Sequence, residues 1–281
     1  MQRERWLLPL MRGEIRSGVS ITEPDRASSD PTNLATTIRR EGGHFVINGR
    51  KWFTTGAKHP KFAFTLVMGV SADENAPRHG RHSFVIVPSD TAGFRVVRDV
   101  AIMHHHSPDG HCEVEFKDVR APVDNLLGEE GAGLAIAQAR LGPGRIHHCM
   151  RTIGQCEYAL ELMCDRALVR ETFGKKLSDY ANIQDWIAQS RIEINQARLL
   201  NLYASWLMDK EGNKAARVLV SQIKVAAAQL QTRVLDRAMQ VWGAAGITPD
   251  TPLSICGHGA GPCVSSTGRM KFICGRSRWR N

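Results

Sequence analysis

No run of 18 apolar residues occurs anywhere in the chain, so no segment reads as a membrane-spanning helix. The opening MQRERWLLPLMRGE is too charged for a signal peptide. The seven cysteines include no C-x-x-C pair and are odd in number, which argues for reduced thiols and a cytoplasmic setting. There is no internal repeat and no low-complexity segment. Residues 255–281 contain no acidic residue at all, yet they hold three of the seven cysteines. What remains is ordinary for a globular protein: 281 residues, 42% hydrophobic and 23% charged, enough for a full core.

The net charge of +9 invites a nucleic-acid reading, but its distribution does not support one. Arg269, Lys271, Arg276, Arg278 and Arg280 supply five of the nine charges from the acid-free end. The other basic residues are interleaved with Glu and Asp along helices, as on any solvated face.

Periodicity divides the chain. Residues 1–13 read as the last turns of a helix. Residues 17–125 read as β structure, with HFVI and KWFTT flanking Asn48-Gly49-Arg50, where Asn-Gly predicts a hairpin. FAFTLVMGV, HSFVIVPS, FRVVRDV and CEVEFKDV add short strands between Pro, Gly and Asp. From Gly131 the spacing becomes i, i+3, i+4, i+7 in three successive stretches, which predicts antiparallel helices sharing a core. Gly142-Pro143-Gly144 is expected to break or kink the first of them.

Three segments carry functional groups. ITEPDRASSD (Ile21 to Asp30) presents small hydroxyls and backbone N–H groups on a turn. KWFTTGA (Lys51 to Ala57) sets an aromatic beside hydroxyls, a surface for a flat ring or merely a strand with Phe53 buried. RETFGKK (Arg170 to Lys176) offers a cation for a phosphate, or a solvated helix end with Gly174 as its cap. His104-His105-His106 with His111 and Cys112 contains metal-ligand types, but adjacent histidines on a short loop lack ligand spacing, and no metal is expected. Cys149, Cys156 and Cys164 fall on one helical stripe and read as core thiols.

Taken in this order, ITEP…SSD, INGRKWFTTGA, VRAPVDNLLGEEGAG, LGPGRIHH, RETFGK and QVWGAAG resemble the acyl-CoA dehydrogenase family over about residues 1–254. The resemblance implies an α+β fold in which a middle β-barrel domain is followed by an antiparallel helical bundle, with the N-terminal helical domain mostly absent. It divides the chain into 1–16, a remnant of that N-terminal domain; 17–127, the β-domain; 128–254, the bundle; and 255–281, an atypical tail.

The same resemblance implies FAD as cofactor and an acyl-CoA as substrate. It implies an electron-transfer flavoprotein or similar acceptor, a homo-oligomer, and no nucleic-acid partner. In the family a carboxylate removes the α-proton while hydride leaves to flavin N5. Carried over by position, Ile21 and Thr22 contact the flavin edge, Phe53 packs near the ring, and Thr55 reaches the region of N5. Ser29 and Arg145 match residues near CoA; the Ser29 loop carries one extra residue. Arg170 and Phe173 match residues that reach the FAD of a neighbouring subunit, with Arg170 at the pyrophosphate. Gln240 and Gly243 match the segment at the adenosine end.

The catalytic carboxylate is expected in a motif reading RALRLxDGPDEVH, and residues 255–281 contain no such motif. Reverse translation of Ala260 to Phe272 with G or C chosen at each third base, read from the third base of each codon, gives RALRLVDGPDEVH. A frameshift near Ser254 would explain the missing acids, the clustered cysteines and the lost period together. Sequencing the gene across codons 240–281 is expected to show the family motif in another frame. An in-frame tail shared by related chains would refute the frameshift.

Overall fold

The computed structural model describes residues 2–102, 104–254 and 256. A π-turn at Arg3–Leu7 leads into α1 (Leu8–Met11), then β1 (Arg16–Ser20), β2 (Thr37–Glu41), β3 (His44–Thr55), β4 (Phe62–Val70), β5 (His82–Pro88), β6 (Phe94–Asp99), β7 (His111–Pro122) and β8 (Leu126–Leu127). After these come α2 (Gly133–Val169), the short strands β9 (Glu171–Thr172) and β10 (Lys175–Lys176), and α3 (Ala181–Trp242) with a 3-10 turn at Gly243–Ile247. Two compact units result, Met1–Gln138 and Ala139–Asn281. The α+β reading holds. The expected catalytic segment lies outside the described residues.

In the first unit β1 to β8 form one mixed sheet in the order β6-β7-β3-β2-β4-β5-β8, with β1 parallel to β4. β5 is buried along almost its whole length, as expected of a strand with neighbours on both sides and apolar cover on both faces. One face packs Ile38, Phe45, Ile47, Val67, Val85 and Phe116 into a cluster. Another cluster joins Met68 and Phe84 to Leu134 and Ala137 in the first turns of α2.

The Asn48-Gly49 hairpin is not formed. β3 runs straight through these residues, and the reversal comes earlier, at Gly42-Gly43, where Glu41 faces His44 across a two-residue loop. Asn48 instead faces a bulge in β7, where Lys117 and Asp118 together oppose it. Asn48 donates to Asp118 Oδ1 at 3.0 Å and accepts from the Asp118 N–H at 2.8 Å. Gly49 is required because a Cβ there would sit 2.8 Å from Thr36 Cα.

The second unit is helical. Cys149, Ile153, Cys156, Leu160, Met163 and Ala167 recur at three- and four-residue steps along α2 and are all buried. The helix is not broken at Pro143: α2 continues through it. Pro143 lacks the N–H that would bond the Ala139 carbonyl, and its ring crowds that same carbonyl. Gly212, with φ +85, divides α3 into helical stretches 181–211 and 213–242. Glu157 on α2 pairs with Arg191 at 2.8 Å and with Arg198, and Glu193 pairs with Arg233 at 3.0 Å and Arg237 at 3.2 Å. Trp242 Nε1 donates to the Leu162 carbonyl at 3.0 Å. The three helical stretches therefore run up, down and up.

Replacing Gly49 by Ala is expected to cost more than about 1 kcal/mol, because the native backbone cannot accept a Cβ there. Gly154, exposed within α2 with open space at its Cβ position, is the control: Gly154→Ala should stabilise by roughly 0.5–1 kcal/mol. Urea midpoints at constant m-value measure both.

Candidate active site

The segment Ile21–Glu23 lies against the end of β3 and is held there by three kinds of contact. Trp52 N–H donates to the Thr22 carbonyl at 3.0 Å, and the Thr22 hydroxyl donates to the Trp52 carbonyl at 2.8 Å. Lys51, fully buried, places Nζ 2.8 Å from the Ile21 carbonyl and 2.8 Å from Glu23 Oε1. Glu23 also accepts the backbone N–H groups of Ala35 at 2.7 Å and Thr36 at 2.9 Å, so one carboxylate closes the loop at both ends. Beneath it, Ser20 Oγ lies 2.9 Å from Thr54 Oγ1 and 2.8 Å from Thr65 Oγ1, a buried chain of hydroxyls.

The pair alters both partners. Burial pushes Lys51 down to about 8 despite the attraction of Glu23. Burial pulls Glu23 upward, but the Lys51 charge and the hydrogen bonds from Lys51, Thr36 and Ala35 outweigh it and leave its pKa below the ordinary range.

At the open end of this arrangement β3 itself bulges, between Lys51 and Thr54. Phe53 there has φ +52 and keeps 40% of its surface exposed, although a buried strand position was the alternative for it. Its ring sits 4.9 Å from that of Trp52 and 6.3 Å from that of His111. Thr55 is exposed, and its Oγ1 lies 2.9 Å from His111 Nδ1. Ile21, Thr22, Phe53 and Thr55 are thus gathered at the end of β3 by the pairing of Thr22 with Trp52. Ser29 is half-buried on the same loop, beyond the Ser28 hydroxyl that accepts the Glu23 N–H at 3.0 Å.

The helical unit carries the other expected residues at its two ends. Arg170 is exposed just past α2. Gly174 does not cap that helix. With Phe173 (φ +49) and Gly174 (φ +79) as its two central residues, the segment is a tight turn joining β9 to β10, and Thr172 faces Lys175. Phe173 stands 96% exposed at its tip. Gly243 ends α3, and its N–H donates to the Gln240 and Met239 carbonyls. Arg166 over the Trp242 ring, 4.9 Å from its centroid, holds the ends of α2 and α3 together.

Arg145 is elsewhere. It lies 25 residues before Arg170, roughly 37 Å along the axis at 1.5 Å per residue, too far for both to hold one phosphate group. Nearby, burial and the charges of Lys224, Arg151, His147 and Arg140 push His148 down to about 4.

Among the described residues no group of three or more His, Cys, Asp or Glu could hold a metal ion. His106 bonds Asp99 at 2.9 Å, and Cys112 is buried in the sheet core. No helix among the described residues is long and apolar enough to cross a membrane.

The "Acyl-CoA dehydrogenase, middle domain" family matches residues 18–119, and the "Acyl-CoA dehydrogenase, C-terminal domain" family matches residues 131–256. A solved structure from Mycobacterium abscessus, named as a candidate acyl-CoA dehydrogenase, is 46% identical with a TM-score of 0.96 over 98% of this chain and 68% of that one. The chain belongs to the acyl-CoA dehydrogenase family. This is an oxidoreductase family acting on CH–CH groups, and its members are flavoproteins. The relative named "Probable acyl-CoA dehydrogenase FadE2" in Mycobacterium tuberculosis is 52% identical over 90% of this chain. This chain spans 62% of that relative's length. Butyryl-CoA dehydrogenase from Megasphaera elsdenii is 26% identical, with a TM-score of 0.86 over 98% of this chain and 70% of that one.

Sequence reasoning missed Lys51, Glu23, Trp52 and the bond from His111 to Thr55. A lysine in an otherwise inward-facing strand and a carboxylate beside a loop proline were the available signals for the first two. His111 had drawn notice only as a metal-ligand type.

Lys51→Met is expected to destabilise the protein by about 3–5 kcal/mol, the cost of leaving one member of a buried pair alone. Because the folded-state pKa of Glu23 is depressed, its stabilisation is present above the unfolded value of 4.5 and is lost as pH falls through the folded value. The stability difference between wild type and Glu23→Gln, measured by denaturant titration, should therefore shrink below pH 4.5.

Proposed function

We propose that the sheet unit holds the isoalloxazine edge of FAD at Ile21, Thr22, Phe53 and Thr55. The observation that carries this is Phe53, an aromatic left exposed in a strained left-handed conformation between two hydroxyl-bearing residues. Such strain persists only where the surroundings impose it, and the Thr22–Trp52 clamp on one side and the β7 pairing on the other supply that constraint. The donor set is right for a polar heteroaromatic ring: two hydroxyls, one of which already spends its proton on Trp52 and so offers lone pairs outward.

When bound, FAD supplies the hydride acceptor for α,β-dehydrogenation of an acyl-CoA thioester to the trans-2-enoyl-CoA. The chain's own task is to orient the ring edge and to exclude water beneath it, where Ser20, Thr54 and Thr65 satisfy one another. Arg145 and Ser29 would bind the CoA portion. Arg170, Phe173, Gln240 and Gly243, at the far end of the helical unit, suit the pyrophosphate and adenosine of FAD held by a second copy, which makes the working form a homo-oligomer. Electrons would leave to an electron-transfer flavoprotein or similar acceptor.

The reaction also needs a carboxylate beside the α-carbon, and residues 255–281 contain none. This favours a second reading of the chain as a non-catalytic flavin- or acyl-CoA-binding protein. Purified protein is expected to retain FAD absorbance through desalting. It should turn over octanoyl- or branched-chain acyl-CoA with an artificial acceptor about 10²–10⁴-fold more slowly than a family member with its base. Robust turnover would overturn the impairment, and failure to bind FAD would overturn the site.

A further inference from the structure

Resting on the placement of Thr55 at the flavin, we propose that His111 is a positioning residue that sets which way the Thr55 hydroxyl points. β3 and β7 pair Thr55 directly opposite His111 and bring Nδ1 to 2.9 Å from Oγ1. The only other protein acceptor within reach of that hydroxyl among the described residues is the Phe53 carbonyl, at 3.5 Å. The backbone that carries the imidazole is itself held. The His111 backbone N–H donates to Asp99 Oδ1 at 3.1 Å, and the Phe53 ring lies 6.3 Å away.

A threonine hydroxyl has one proton and two lone pairs, and a neutral imidazole has one N–H and one bare nitrogen. Two arrangements of the pair follow. With the ring proton on Nε2, Nδ1 accepts the Thr55 proton, and Oγ1 offers lone pairs to a ligand. With the proton on Nδ1, the ring donates to Oγ1 and turns the hydroxyl proton outward.

The pair can thus serve a ligand atom that accepts a hydrogen bond in one state and donates in another. A flavin ring nitrogen that is bare when oxidised and protonated when reduced is such an atom. The charged groups facing the ring are Asp99 at the end of β6 and Asp109 in the turn before β7, with Lys58 and His106 bonded to Asp99 behind them. Burial outweighs the pull of both carboxylates and holds His111 below the ordinary imidazole range, so the neutral ring this exchange needs prevails at pH 7.

Two measurements test the assignment. In the 281-residue chain without flavin, nitrogen NMR of the His111 ring should show an Nδ1 signal that moves on Thr55→Val; an unmoved signal overturns the proposal. In the FAD-loaded chain, Thr55→Val is expected to weaken FAD by about three- to tenfold, the worth of one hydrogen bond. His111→Phe should weaken FAD by no more than that and shift the flavin midpoint potential in the same direction. The double variant should match Thr55→Val, and His111→Asn, whose amide can reach the Nδ1 position, should recover part of the shift. Additive losses, or an unaffected His111→Phe beside an affected Thr55→Val, overturn the role of His111 and leave Thr55 at the flavin. A Thr55→Val without effect on bound FAD removes the placement of Thr55 and this role with it.

Discussion

The sheet unit depends on one ion pair that has no access to water. Lys51 and Glu23 are each about as buried as the apolar core around them, and neither could remain charged there alone. Together they tie the carbonyl of Ile21 and the N–H groups of Ala35 and Thr36 to β3. The loop between β1 and β2 is therefore anchored at its root. Thr22 can meet Trp52 in two hydrogen bonds, and the strand beyond can depart from regular pairing without unravelling.

The proposed flavin contact rests on that departure. Phe53 sits at the bulge of β3 with a positive φ, a conformation unfavourable for a residue with a Cβ. Phe173 shares it at the tip of the β9–β10 turn. In both cases an aromatic ring is held out into solvent by backbone that neighbouring hydrogen bonds leave little freedom to relax.

Much of this was legible beforehand. Alternation and β-branching marked β3 to β7, and three- and four-residue spacing marked α2 and both halves of α3, because those periods follow from backbone geometry alone. Order and spacing of ITEP, KWFTT and RETFGK carried the family resemblance that nominated Thr22, Phe53, Thr55 and Arg170, of which the structure brings the first three together. Local turn chemistry was less reliable. Asn48-Gly49 is a hairpin signal, but close approach of Thr36 claimed Gly49 for the interior of a strand, and the reversal fell to Gly42-Gly43. Gly174 follows a helix closely enough to cap it, yet it turns a strand pair.

By itself the sequence determined which segments are strand or helix, and it carried the ordered motifs that mark the family, since both depend on residues close together along the chain. The tertiary structure decided which groups meet. Lys51 with Glu23, Thr22 with Trp52 and Thr55 with His111 are separated by 28 to 56 residues. Their pairing depends on strand register, which shifts at each bulge, and no local pattern encodes where two distant strands come into line.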